Sequence, residues 1–186
     1  MPKTIDQMID DLVVREGAFV DHPADRGGPT CWGITKSKAC EHGYTGDMRS
    51  LPKGTARAIY WQDFVIAPGL NLLALRSPRI AAEALDTGVN MGAPWGVMML
   101  QRALNALNQG GADWPDLVKV DGSYGSKSDA ALAGCQRVRG KQQWEDVLLA
   151  AMNCQQGDRY LDILERNPSQ EAFGWGWFRN RVLAPA

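Results

Sequence analysis

Glu16-Gly17-Ala18-Phe19-Val20-Asp21-His22-Pro23-Ala24-Asp25-Arg26-Gly27-Gly28-Pro29-Thr30-Cys31-Trp32-Gly33-Ile34-Thr35 sets carboxylates, a hydroxyl and aromatic rings on a turn-rich segment that directly follows a helix. That helix is written plainly in the preceding residues. Thr4-x-x-Gln7 is a capping box, in which the Thr hydroxyl and the Gln side chain satisfy the first orphan amides reciprocally. Ile5, Met8, Ile9, Leu12 and Val13 recur at the spacing of one helical face, and Gly17 stands where a C-terminal stop belongs. The pattern predicts a helix from Thr4 to about Glu16.

Glu16 lies three residues after Val13 and four after Leu12, which projects it onto the apolar face at the last turn. Burial and the negative end of the helix dipole both disfavour a charged carboxyl there, and a carboxyl that keeps its proton near neutral pH is what a general acid needs. The plainer alternative is a Glu emerging at a frayed helix end, or paired with Arg15 or Arg26. Nine positions on, Asp25 supplies a second carboxylate and Thr30 a hydroxyl. A short β-like excursion that folds back would set the two carboxyls across a cleft, as glycoside hydrolysis requires, with glycines permitting close backbone approach. Asp25 and Thr30 also serve well as turn formers bonding their own loop.

The rest of the chain reads as mostly helical. Thr35 opens a short helix ending at Gly43; others run from about Lys53 to Phe64, from Ser77 as N-cap with Pro78 at the first position to about Thr87, and from Pro94 to about Asn108. Leu100, Ala103, Leu104 and Leu107 give the last of these a buried stripe. Gln109 to Asp116 breaks the pattern. Asp121-Gly122 and Gly125 suggest a tight turn, followed by helices from about Ser128 to Val138 and Gln142 to Glu165. There is no repeat of solenoid length.

Composition narrows the function classes. The 186 residues fit one domain of the usual ~150-residue size, or one with a small appended module. With 20 basic and 21 acidic residues the chain has no field that draws it to nucleic acid. No stretch approaches the ~20 apolar residues of a membrane span, the densest being Val147 to Met152, and no secretory leader is evident, so a soluble cytoplasmic protein without stable membrane association is expected. Cys31, Cys40, Cys135 and Cys154 are expected to be free thiols. Cys31, Cys40, His42 and His22 lack the spacing of a zinc site, and a Cys-His nucleophile pair is equally unsupported. Seven tryptophans against four Phe and four Tyr hint at ring stacking on sugars.

The run from Glu16 to Val20 and from Pro23 to Thr35 closely resembles the signature of glycoside hydrolase family 108, the phage-endolysin type of N-acetylmuramidase. The likeness continues at Ile59-Tyr60-Trp61-Gln62-Asp63-Phe64 and at Ala84-Leu85-Asp86-Thr87-Gly88-Val89-Asn90-Met91-Gly92. Leu100 to Leu104, Asp121 to Gly125 and the closing Phe173 to Val182 are similar to the peptidoglycan-binding segment that follows in that family. Ala18 stands where the family has a second glycine, Asp25 to Thr30 is one residue shorter than the corresponding spacing in phage-type lysozymes, and Ser126 and Ser128 replace a Pro and a Thr.

The resemblance implies a mainly α, lysozyme-like helical fold with a small β-like excursion after the first helix. It divides the chain into a muramidase segment, 1–92, and a peptidoglycan-binding helical segment, 93–186, packed as one compact unit. Glu16 takes the catalytic glutamate's place, with Asp25 and Thr30 as the assisting pair. Trp32, Tyr60 and Asn90 are candidates for the glycan cleft, the two aromatic rings having core packing as their alternative. Asp86 is read as a polar anchor at a helix end. No metal or organic cofactor is implied.

The expected partner is bacterial peptidoglycan, cut between N-acetylmuramic acid and N-acetylglucosamine by a monomeric endolysin that waits in the host cytoplasm. A catalytically weak or inactive peptidoglycan-binding or secretion-assisting protein is the competing expectation, and an amidase a more distant one. Of the tryptophans, Trp32 alone is expected in the cleft, and most of the other six are expected to pack the core.

Overall fold

The computed structural model describes residues 3–19, 29–141 and 143–183. Helix α1, Ile5–Glu16, starts as its capping box dictates: the Gln7 amide donates to Thr4 Oγ1 at 3.2 Å, and the Thr4 amide donates to Gln7 Oε1 at 2.9 Å. It buries Ile9, Leu12 and Val13 and stops at Gly17, whose φ of 73° lies in the left-handed region. Strands β1, Thr30–Cys31, and β2, Ile34–Thr35, pair antiparallel as a two-stranded hairpin. Thr35 then caps α2, Lys36–Glu41, by accepting from the Lys38 amide.

Beyond the hairpin the protein is built from helices: α3, Lys53–Trp61, running on through a π-helical turn at Gln62–Ile66; α4, Leu70–Arg76; α5, Pro78–Met91; and α6, Pro94–Ala106. They are followed by α7, Ser126–Arg139, α8, Trp144–Arg166, and α9, Glu171–Trp177, which ends in a second π-helical turn at Phe178–Val182. The fold is mainly α, as the sequence predicts. Among the described residues no single helix is long and apolar enough to cross a membrane. The one bent pair that passes by composition, 53–66 with 70–76, turns Ile59, Val65, Leu70 and Leu73 into the core.

Helix α5 is the axis of the molecule. Ser77 caps it through the Ile80 amide and Pro78 occupies its first turn, so its start is fixed by local chemistry. It packs against α1, α4, α6 and α8 and is buried from Ile80 to Leu85 and again at Thr87 and Gly88. Gly96 lets α6 cross it closely, since a Cβ there would lie 2.5 Å from Ala84 Cα. Leu100 and Leu104 of α6 are fully buried beside it, each contributing about 2 kcal/mol by removal of apolar surface from water.

The structure corrects several boundaries. Helix α5 runs four residues past the predicted stop at Thr87, because Gly88 is a close-packing position against Ala93 and not a terminator. Helices α4 and α9 were not expected. Both are seven residues long, too short to show a full periodic face, and α4 hides between the Pro68-Gly69 break and the Ser77 cap.

Candidate active site at the end of the first helix

The hairpin turn Cys31-Trp32-Gly33-Ile34 has both central residues at positive φ, 54° for Trp32 and 73° for Gly33, the geometry of a tight two-residue connection. A bulky residue in that region costs on the order of 1–2 kcal/mol and persists only where its surroundings hold it. Two hydrogen bonds do so. The Tyr60 hydroxyl, brought in by α3, donates to the Trp32 carbonyl at 3.0 Å, and the Trp32 indole donates to the Leu51 carbonyl at 3.0 Å. The Lys53 ammonium sits 5.9 Å from the centre of the Trp32 ring.

This turn is pressed against Glu16. A Cβ added at Gly33 would lie 2.9 Å from both Cβ and Cγ of Glu16 and would collide with the Tyr60 hydroxyl. Tyr60 is 8% exposed, and burial first, then the Glu16 charge, push its phenol up to about 12 against a smaller opposing effect of Arg15. The phenol is therefore a neutral donor at ordinary pH, and it backs the turn that backs Glu16. The desolvation expected of Glu16 itself is not found. It is an exposed residue at the end of α1.

Of the other predicted site residues, Thr30 is half-buried in β1, paired with Thr35 at the open end of the same hairpin. Trp32 is half-buried and spends its indole N–H on Leu51, so it anchors the hairpin whatever else its ring does. Asn90 is exposed on the last turn of α5, its amide 2.5 Å from the Asp86 carbonyl. Asp25 and the turn from His22 to Gly28 lie outside the described residues. Ala18 needs no positive φ, so the methyl in place of the family's glycine is accommodated.

A groove of about 200 Å³ separates α1 from α5, with Met8, Leu12, Leu85 and Val89 on its apolar walls and Lys3, Arg15 and Asp86 at its polar edges. Neither Glu16 nor Asn90 lines it; each is the next residue in sequence after a lining one, Arg15 and Val89. Arg15 makes no ion pair among the described residues and is the groove's free cation there. The sequence suggested Arg15 only as an ion-pair partner for Glu16, although Met8, Leu12 and Arg15 fall at i, i+4 and i+7 on one face.

Burial pushes the Cys31 and Cys135 thiols up, which makes them poor nucleophiles. All four cysteines are free, and His42 is engaged with Asp63 at 3.0 Å. Among the described residues no three His, Cys, Asp or Glu side chains converge as a metal site.

Comparison with known proteins agrees with this architecture. Residues 9–92 match the family described as glycosyl hydrolase 108, and residues 95–182 match the one described as predicted peptidoglycan domain. No curated protein matches. The solved structure of Brucella abortus SagA is similar in fold, with a TM-score of 0.58 and 24% sequence identity, over 96% of this chain and 93% of that one.

Proposed function

Residues 9–92 belong to the glycosyl hydrolase 108 family, and from that premise we propose that the chain hydrolyses the β-1,4 bond between N-acetylmuramic acid and N-acetylglucosamine in bacterial peptidoglycan, with Glu16 as general acid. The family itself indicates a lysozyme-like peptidoglycan hydrolase. The observation that supports the finer reading is the seating of Glu16, at the end of α1, against the left-handed Trp32-Gly33 turn.

In this reading Glu16 protonates the leaving glycosidic oxygen. Asp25 offsets positive charge developing on the sugar, or helps Thr30 hold the attacking water. Tyr60 is a positioning residue, because its hydroxyl is committed to the Trp32 carbonyl. Trp32, on the turn packed against Glu16, and Asn90 are assigned to glycan contacts in this reading. The groove is smaller than the roughly 300–1,000 Å³ of a typical ligand pocket, so it takes a substituent of one sugar and leaves the rings outside it. The two segments work as one unit, a reading supported by the Gln156 amide donating to Thr87 at 2.9 Å and by Arg181 meeting Asp86.

The exposure of Glu16 favours one competing reading, a wall binder of the same fold without turnover. Product analysis of digested peptidoglycan separates the two and fixes the bond. Borohydride reduction of the products should convert terminal muramic acid to its alditol, with no new free amines. Terminal glucosaminitol instead would reassign the bond, and intact glycan would establish the binder.

A further inference from the structure

A cavity of about 720 Å³ opens between the 115–123 loop, α6 and the first turn of α7, and none of its lining residues falls within 9–92. Its size is that of a ligand pocket, within the usual range of roughly 300–1,000 Å³. The shape is built by Gln101, a buried side chain of α6. Its amide nitrogen reaches Asp121, the Ser123 carbonyl and Ser128 at 3.0–3.1 Å, and its oxygen accepts from the Gly122 amide. This buried amide ties the 121–123 loop to Ser128 of α7, so the walls of the opening are held in place by the fold.

We propose that this cavity binds the peptide stem of peptidoglycan, a short peptide carrying both carboxylate and amine groups, and not the glycan strand. The inference rests on the peptidoglycan reading above. Two features of the lining choose between the halves of that polymer. No lining residue is aromatic, whereas sugar rings are bound largely by aromatic faces. The floor is instead aliphatic, with Leu117, Ala130 and Ala131, as suits alanine-rich peptide.

The second feature is mixed charge at the rim. Lys119 and Lys127 are exposed and form no ion pair among the described residues, and Gly125 at the N-cap of α7 offers no side chain to the first-turn amides beside Lys127. These groups suit a carboxylate. Also lining the cavity, Asp121 is held below the usual carboxylate range by the Gln101 side chain and the Ser123 amide. It remains an anion that suits an ammonium group. A neutral glycan uses neither sign, whereas a stem peptide with a diamino acid uses both.

The test is nuclear magnetic resonance titration of the full chain with the tetrapeptide alanyl-glutamyl-diaminopimelyl-alanine, and separately with chitotetraose as a peptide-free glycan. The tetrapeptide should shift the amides of Leu117, Ser126, Lys127 and Ser128 saturably. Lys127→Glu should weaken its binding at least 10-fold, and Lys127→Arg should retain it. The inference is overturned if the tetrapeptide leaves those amides unmoved, if Lys127→Glu binds it as tightly, or if chitotetraose shifts the same amides. A chain that cuts peptidoglycan yet ignores the tetrapeptide refutes this inference alone. A chain that binds the tetrapeptide without cutting refutes only the hydrolase reading.

Discussion

Arg181 points one guanidinium nitrogen at both carboxylate oxygens of Asp86, at 2.7 and 2.6 Å, and so ties the end of the peptidoglycan-domain segment to the central helix of the hydrolase segment. Both side chains are partly buried, at 18% and 30% exposure, so the pair is shielded from the screening that makes surface ion pairs weak. Arg181→Ala leaves the Asp86 charge half-buried and unpaired, at an expected cost of about 1–3 kcal/mol. Hydrogen exchange should show residues 171–182 losing protection well before α5 does. Unchanged protection there would deny the tie its role.

Gly33→Ala should be among the most damaging single methyl additions. The new Cβ would meet the Tyr60 hydroxyl and the Glu16 side chain on a backbone with φ of 73°. A loss of about 1–3 kcal/mol in denaturant unfolding is expected. Hydrolysis should fall by more than the lost folded fraction, because Glu16 itself is displaced.

Tyr60→Phe isolates the supporting hydrogen bond. It leaves the Trp32 carbonyl without its donor, at a cost of about 1–2 kcal/mol. If Tyr60 only positions the turn behind Glu16, kcat on peptidoglycan should drop while KM holds. A rise in KM at constant kcat would make Tyr60 a substrate contact instead.

Alkaline titration follows from the buried phenols. Burial pushes Tyr60 and Tyr160 each up to about 12, and Tyr124 higher still. A group whose folded value lies above its unfolded value of about 10 contributes stability that is whole below pH 10 and is lost as pH climbs through 12. Tyrosinate absorbance from these residues should therefore rise together with unfolding. Full ionisation near pH 10 with the fold intact would contradict their burial.

Much of this was legible in the residues. The capping box at Thr4 and Gln7 and the Ser77-Pro78 start are local chemistry, and both helices begin where predicted. The end of α5 was set four residues short, at about Thr87, because Gly88 continues the helix as a close-packing position against Ala93. Glu16 was placed correctly at the end of α1, but its burial depends on what neighbours the last turn, which periodicity cannot supply. Of the six tryptophans other than Trp32, most pack as expected, and Trp175 does not. Trp114 is buried and Trp177 stacks on Tyr160 at 4.9 Å between centroids, while Trp175 is 83% exposed because it lies on the face of α9 turned away from Gly174 and α8. The Asp86 anchor was foreseen, whereas its partner Arg181, 95 positions later, had no local signal.

The central claim is that Glu16 is the acid, and Glu16→Gln tests it most directly because the amide keeps the shape and cannot give up a proton. Release of reducing ends from purified peptidoglycan should fall by about 10²–10⁴-fold, with folding and wall binding unchanged. Release at the wild-type rate by Glu16→Gln would contradict the account.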